Sequence, residues 1–119
     1  MAQAYVSSQI SSDRVEGTDV YGPDGERIGQ IDRMMIDKVS GRVTYAVMTF
    51  GGFLGMGESE YPLPWATLKY DTGLNGYVTN VTADQVKNAP EYRESEDIWG
   101  DRDWESRIHT HYGVPPYWP

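Results

Sequence analysis

Short apolar stretches separated by turn-forming residues make up the chain as far as residue 82. Alternating apolar and polar positions are typical of strands, and clusters of glycine, proline, asparagine and aspartate mark turns. We expect a first strand over residues 15–21, which pairs through the Gly-Pro-Asp-Gly turn at 22–25 with the next strand. Apolar and polar positions alternate only in part over residues 27–37. Because Gly29 interrupts them, we interpret this stretch as a bent strand rather than a helix.

The stretch 43–50 is apolar on both of its alternating faces, which carry Val43, Tyr45 and Val47 on one side and Ala46, Met48 and Phe50 on the other. A strand of this kind is covered on both sides. The following strand ends over residues 61–65 and contains Pro62 and Pro64. Because proline has no N–H to donate to a neighbouring strand, we expect an edge strand there.

Residues 68–81 contain the signals of a last hairpin, with an Asn-Gly turn at 75–76. Thr82 and Gln85 match a capping box, in which each side chain accepts a hydrogen bond from the other residue's backbone N–H. This pair predicts the start of a helix, and Pro90 limits that helix to about two turns.

The segment 91–119 is acidic and rich in aromatic residues. It holds 6 of the chain's 15 aromatic residues, namely Tyr92, Trp99, Trp104, Tyr112, Tyr117 and Trp118. Disordered acidic tails contain few aromatic residues, so we expect this segment to pack on another surface. A helix is predicted with Asp101 or Asp103 at its start and Gly113 at its end. Its apolar face carries Trp104, Ile108, His111 and Tyr112.

The composition of the chain excludes several classes of protein. A chain of 119 residues supports one domain with an extension, and its mean hydropathy of -0.59 excludes a membrane-inserted helix. The first residues have neither a basic region nor an apolar stretch, so we expect no secretory signal and a cytoplasmic location. No cysteine is present, which excludes disulfides and thiolate chemistry. The net charge of -8 makes direct nucleic-acid binding unfavourable.

No residue pattern indicates an active site, and we expect no cofactor and no bound metal. His109 and His111 form the only histidine pair, but on a helix they point apart. The acidic residues of the tail, Glu91, Glu94, Glu96, Asp97, Asp101, Asp103 and Glu105, are interpreted as a solvated face. The glycine-rich stretch 51–57 leads into a strand rather than a helix, so we interpret it as a hairpin loop and not as a nucleotide site.

Four segments together resemble the PRC-barrel family: residues 17–21, 25–37 and 41–47, and the Pro-Trp pair at 64–65 with Leu68. The resemblance covers residues 12–82 and implies a mainly β protein built on a small closed six-stranded barrel. We place Ile28, Ile36, Val47 and Leu68 inside that barrel, and treat residues 83–119 as a helical and aromatic extension that packs on the barrel or on a dimer partner. Related domains occur in the photosynthetic reaction centre H subunit and in a 16S rRNA maturation factor, where they serve as adaptors.

The favoured function is a non-catalytic protein-interaction module, not an enzyme, that associates with itself as a homodimer. The candidate interaction surface comprises Phe53, Leu54, Met56, Trp99, Trp104, Ile108, Tyr112, Tyr117 and Trp118. Two alternatives remain open. One is an accessory role in ribosome or RNA assembly through a protein partner, and the other is a small-ligand or metal binder that uses the acidic, histidine-containing tail.

Overall fold

The structure is a computed structural model that describes residues 9–50, 60–90 and 98–118. Within these ranges, six strands, three α-helices and one 3₁₀ helix follow one another in the order α1 (Ser12–Val15), β1 (Asp19–Tyr21), β2 (Arg27–Ile36), β3 (Val43–Thr49), β4 (Glu60–Pro64), the 3₁₀ helix (Trp65–Thr67), β5 (Leu68–Asp71), β6 (Gly76–Thr79), α2 (Ala83–Lys87) and α3 (Arg102–Tyr112). None of the described helices is both long and apolar enough to cross a bilayer.

The six strands form one curled sheet, a half-barrel, in the order β4-β3-β2-β1-β6-β5. Neighbouring strands are antiparallel except β1 and β6, which run parallel. The predicted mainly β fold and the edge position of β4 are confirmed. Pairing of β4 with β5, which a closed barrel requires, is not seen among the described strands. The aromatic ring of Trp65, in the 3₁₀ helix between these two strands, lies 5.3 Å from the ring of Tyr77 in β6.

Strand β3 is covered on both faces, as its two apolar sets predict. Every residue from Thr44 to Met48 is buried. Three of the four residues predicted to lie inside are also buried, namely Ile28, Val47 and Leu68. The prediction for Ile36 is wrong, because this side chain is 51% exposed. Ile36 is the last residue of β2, and its pairing with β3 is irregular because β3 has one extra residue, Thr44, at this point.

The first strand is shorter than predicted. Residues Ser12–Val15 form the single helical turn α1, and β1 begins only at Asp19. Val15 still contributes to the core. Gly17 has a positive φ of 83° and donates its N–H to the carbonyl of Ile31 at 2.6 Å. The alternation of apolar residues therefore located a buried position but not its backbone conformation.

Gly29 lies in the bent strand that the sequence predicts over this stretch. A side chain at this position would collide with the carbonyl oxygen of Thr49 and lie 3.2 Å from the Cα of Phe50. Only glycine permits this approach of β2 to the end of β3.

The predicted helix ends are confirmed. Thr82 and Gln85 form both hydrogen bonds of the capping box at the start of α2. Asp101 accepts hydrogen bonds from the first turn of α3, and Gly113 ends this helix in the left-handed conformation. These short-range signals fix where α3 starts and stops.

Candidate functional site

The C-terminal segment packs on β3 of its own chain. The ring of Tyr45, at the centre of β3, lies within 5.3 to 6.3 Å of four other aromatic rings, those of Trp99, Trp104, His109 and Tyr117. Rings at such separations pack edge to face or tilted, which is favourable beyond the area they bury. This aromatic cluster covers the face of β3 that carries Tyr45.

A carboxylate lies at the centre of the cluster. Glu105 is 1% exposed and accepts three hydrogen bonds through its side chain. Its donors are the Tyr45 hydroxyl at 2.8 Å, the Tyr117 hydroxyl at 2.7 Å and the Arg102 guanidinium at 2.9 Å. A buried carboxylate needs such partners, because an uncompensated charge in the interior is very costly. The interpretation of the acidic tail as a solvated face is therefore wrong for Glu105.

Arg102 joins this network to the end of the chain. Its guanidinium hydrogen-bonds the Tyr117 hydroxyl at 3.1 Å and lies 4.1 Å from the centre of the Trp118 ring. A cation over an indole ring is attracted by the ring's electron density. The Glu105 charge is thus neutralised by a cation that also holds residues 117 and 118 against α3.

The surroundings of the network suppress ionisation of its phenols. Burial, followed by the hydrogen bond to Glu105, raises the pKa of Tyr45 far above its usual range. The same two causes raise the pKa of Tyr117. Both phenols remain protonated donors to the carboxylate at any ordinary pH, which suits the cluster to holding α3 in place.

The two histidines do not point toward a common metal. His109 is buried, and its Nδ1 lies 2.8 Å from the backbone carbonyl of Glu105, to which it donates. His111 directs Nε2 to the backbone carbonyl of Gln85. In the part of the chain that the structure describes, no group of three potential ligands surrounds a metal position. The carboxylates at 91–97 lie outside that part.

The candidate interaction residues from the sequence divide into three groups. Trp104, Ile108 and Tyr112 are buried in the core. Trp99, Tyr117 and Trp118 are half-buried around the Glu105 network. The remaining three, Phe53, Leu54 and Met56, lie outside the described residues.

Four exposed apolar side chains, which the sequence did not single out, lie on two hairpins. We call this set the hairpin end, and it consists of Ile36, Val39, Tyr70 and Leu74. Val39 is 97% exposed in the β2–β3 turn, while Tyr70 and Leu74 are each 44% exposed on the β5–β6 hairpin. Because β1 and β6 are parallel, β2 and β5 also run in one direction, and their following turns leave the same end of the sheet. In the sequence, the only sign of the hairpin end is an apolar residue within a polar turn.

An ion pair with an added carboxyl lies at the β4 edge. Arg33 Nη1 contacts both carboxylate oxygens of Glu60 at 3.0 Å. The hydrogen bond that a protonated Glu60 carboxyl donates to the neighbouring Asp32, together with burial, raises the pKa of Glu60 despite this cation. The ion pair of Arg33 with Glu60 connects β2 to β4 across β3, and we interpret it as a structural contact.

Comparison with known proteins identifies the family. An uncharacterized protein from Deinococcus radiodurans is 30% identical over 80 residues, which cover 67% of this chain and 28% of that protein. The sequence profile of the PRC-barrel domain matches residues 8–86, which includes all six strands and α2 except for its last residue. This match spans more than half of the chain and confirms the resemblance seen in the glycine and Pro-Trp positions, so the protein belongs to the PRC-barrel domain family.

Proposed function

We propose that this chain is a non-catalytic protein-interaction module and that two copies associate through the hairpin end. The PRC-barrel domain is a general interaction or adaptor type of fold, and its family is generally non-catalytic. Self-association and the surface that mediates it are the new elements of the proposal.

The hairpin end is the observation that carries this proposal. Turns that face water are normally built from polar residues and glycine, yet Val39 is almost fully exposed between Lys38 and Ser40. Leu74 is likewise an exposed apolar residue, in the β5–β6 turn. Apolar side chains that gather at one end of a small domain mark a contact surface, because their exposure to water is unfavourable.

The aromatic C-terminal segment plays a different part in this arrangement. Its rings contact Tyr45 of the same chain, so their burial does not require a second copy. A dimer therefore needs no exchange of this segment between subunits. Twofold pairs are the commonest assemblies, and a self-complementary end of the sheet is sufficient to form one.

The absence of cysteine from the sequence allows a site-specific test. A spin label on Val39→Cys reports the distance between two hairpin ends by pulsed electron resonance. The matched control is Ser106→Cys, on the exposed face of α3. We expect dipolar coupling between copies, with a shorter distance at position 39 than at position 106.

Two outcomes contradict the proposal. Uncoupled labels at both positions mean that the chain does not associate under these conditions. A shorter distance at position 106 means that the copies meet through α3 and not through the hairpins.

A further inference from the structure

The described sheet has two outer strands, and they differ in their capacity to pair with a further strand. β4 contains Pro62 and Pro64, whereas β5 contains no proline. Proline is tolerated in an edge strand where its missing N–H would face away from the neighbouring strand. The outer edge of β4 therefore lacks donors at these two positions, which disfavours the addition of a strand there.

The other outer strand, β5, retains its backbone donors. It pairs with β6 on one side, and no described strand pairs with its other side. In an antiparallel ladder, alternate residues bond to the neighbouring strand and the remaining ones direct N–H and C=O groups outward. Lys69 and Tyr70 are exposed, so this outer edge is open to solvent. A strand that pairs with β5 would satisfy these outward groups.

Two opposite charges mark one face of β5. Lys69 and Asp71 are two residues apart, so their side chains lie on the same face of the sheet. Lys69 makes no ion pair with the described residues. Asp71 Oδ1 accepts hydrogen bonds from the backbone N–H groups of Gly73 and Leu74 at 2.8 and 3.1 Å, which leaves Oδ2 for a partner.

These two charges select which strands can pair with the edge. A lysine on an edge strand opposes pairing with a strand that offers it no acid. Opposite charges directly across two antiparallel strands stabilise the pair, and like charges destabilise it. Antiparallel pairing is also the slightly more stable arrangement per residue. The strand that fits therefore carries a basic residue opposite Asp71 and, two positions later, an acidic residue opposite Lys69.

We propose that the outer edge of β5 binds an extended segment of a partner protein as an additional antiparallel strand. The segment contains a basic residue, one intervening residue, and then an acidic residue. Backbone hydrogen bonds provide the affinity, and the two charge pairs set the register. This inference rests on the proposed role as an interaction module but not on self-association, because it uses the backbone of β5 and not the apolar side chains of the hairpin end.

Two synthetic peptides with blocked ends test the proposal. The first is Thr-Val-Lys-Val-Asp-Val-Thr, which places its lysine opposite Asp71 and its aspartate opposite Lys69. The second exchanges this lysine and aspartate, so its composition and charge are the same. We expect the first peptide to shift the amide resonances of residues 68–71 with a Kd of about 1 mM or tighter, and the second to bind about tenfold more weakly.

Lys69→Glu tests the charge pair directly. It places a glutamate opposite the aspartate of the first peptide, and we expect binding about tenfold weaker. Lys38→Glu, which makes the same charge change in the β2–β3 turn, leaves the affinity unchanged. A third peptide, with a second lysine in place of its aspartate, should bind Lys69→Glu more tightly than Lys38→Glu, which shows that the edge of the first variant is still folded.

Four results overturn the proposal. Neither of the first two peptides shifts residues 68–71, the second peptide binds at least as tightly as the first, or the two lysine variants weaken binding equally. Fourth, β5 amides that become protected from hydrogen exchange as the protein concentration rises, without peptide, mean that a second copy occupies the edge instead. The peptide titration reports on the edge alone and the spin-label distances report on self-association, so each proposal can fail without the other.

Discussion

Replacement of Glu105 by leucine tests whether the buried network holds α3 on the sheet. The substitution removes the acceptor of the Tyr45, Tyr117 and Arg102 hydrogen bonds. Two of these donors can turn to solvent, because the Arg102 side chain is 53% exposed and Tyr117 is half-buried. The hydroxyl of Tyr45, a residue only 1% exposed, is left without its acceptor.

The expected magnitude follows from these contacts. Leaving one buried hydroxyl without its acceptor costs about 1–3 kcal/mol, and we expect Glu105→Leu to lower the free energy of unfolding by this amount. A domain of this size is stable by about 5–15 kcal/mol, so the loss is large but measurable. Asp103→Leu is the control, since Asp103 is an exposed acid on the same helix. This control substitution should lower the free energy of unfolding by less than about 1 kcal/mol.

A double-mutant cycle assigns the effect to the Tyr45 contact. Urea unfolding followed by circular dichroism is measured for Glu105→Leu, Tyr45→Phe and the double variant. Tyr45→Phe removes the hydroxyl that Glu105→Leu would leave without an acceptor. The double variant should therefore be more stable, by about 1–2 kcal/mol, than the sum of the two single losses predicts. Losses that add to within about 0.5 kcal/mol, or a Glu105→Leu cost below about 1 kcal/mol, would refute the reasoning.

Three further predictions concern the sheet and its buried phenols. Gly29→Ala should lower the free energy of unfolding, measured in urea, by about 1–3 kcal/mol, because its new methyl group meets the β3 backbone. The control is Gly73→Ala, whose methyl group meets only a side-chain oxygen, and it should leave this free energy unchanged or raise it slightly. Val47→Asp should abolish cooperative melting, since it places an unpaired carboxylate in a fully buried position of β3; a melt within a few degrees of the parent contradicts this. Burial raises the pKa of Tyr45 and of Tyr112 above the usual 10.0, so the unfolded state loses these protons first and the free energy of unfolding should fall as the pH rises above about 10. A urea midpoint that stays constant from pH 8 to well above that value argues against it.

Features set by neighbouring residues were predictable from the sequence. The capping box at Thr82, the Asp101 cap and the strand alternation depend on positions only a few residues apart. The parallel pairing of β1 with β6 joins segments far apart in sequence, and no local pattern encodes it. The exposure of Ile36 likewise depends on where β2 ends in the folded sheet, which the alternation of apolar residues does not define.

The candidate site was less predictable, for a related reason. Glu105 lies in a run of acids, and composition alone indicates solvent exposure for such a run. Its position on α3 gives a better signal, because Glu105 and His109 flank the apolar row of Trp104, Ile108 and Tyr112 on the buried face. The partners that make its burial tolerable, Tyr45 above all, come from a distant strand, which sequence periodicity cannot identify.

The oligomeric state tests the proposed function most directly. Sedimentation velocity of the full chain, in a concentration series around the micromolar range, should show an average mass that rises from 13.4 kDa toward twice that value. Because each copy carries a net charge of -8, added salt should strengthen the association. Val39→Asp combined with Leu74→Asp should hold the mass at 13.4 kDa, while Thr110→Ser on α3 should behave as the parent. A parent chain that stays at 13.4 kDa throughout the series, at low and at high salt, would contradict self-association through the hairpin end.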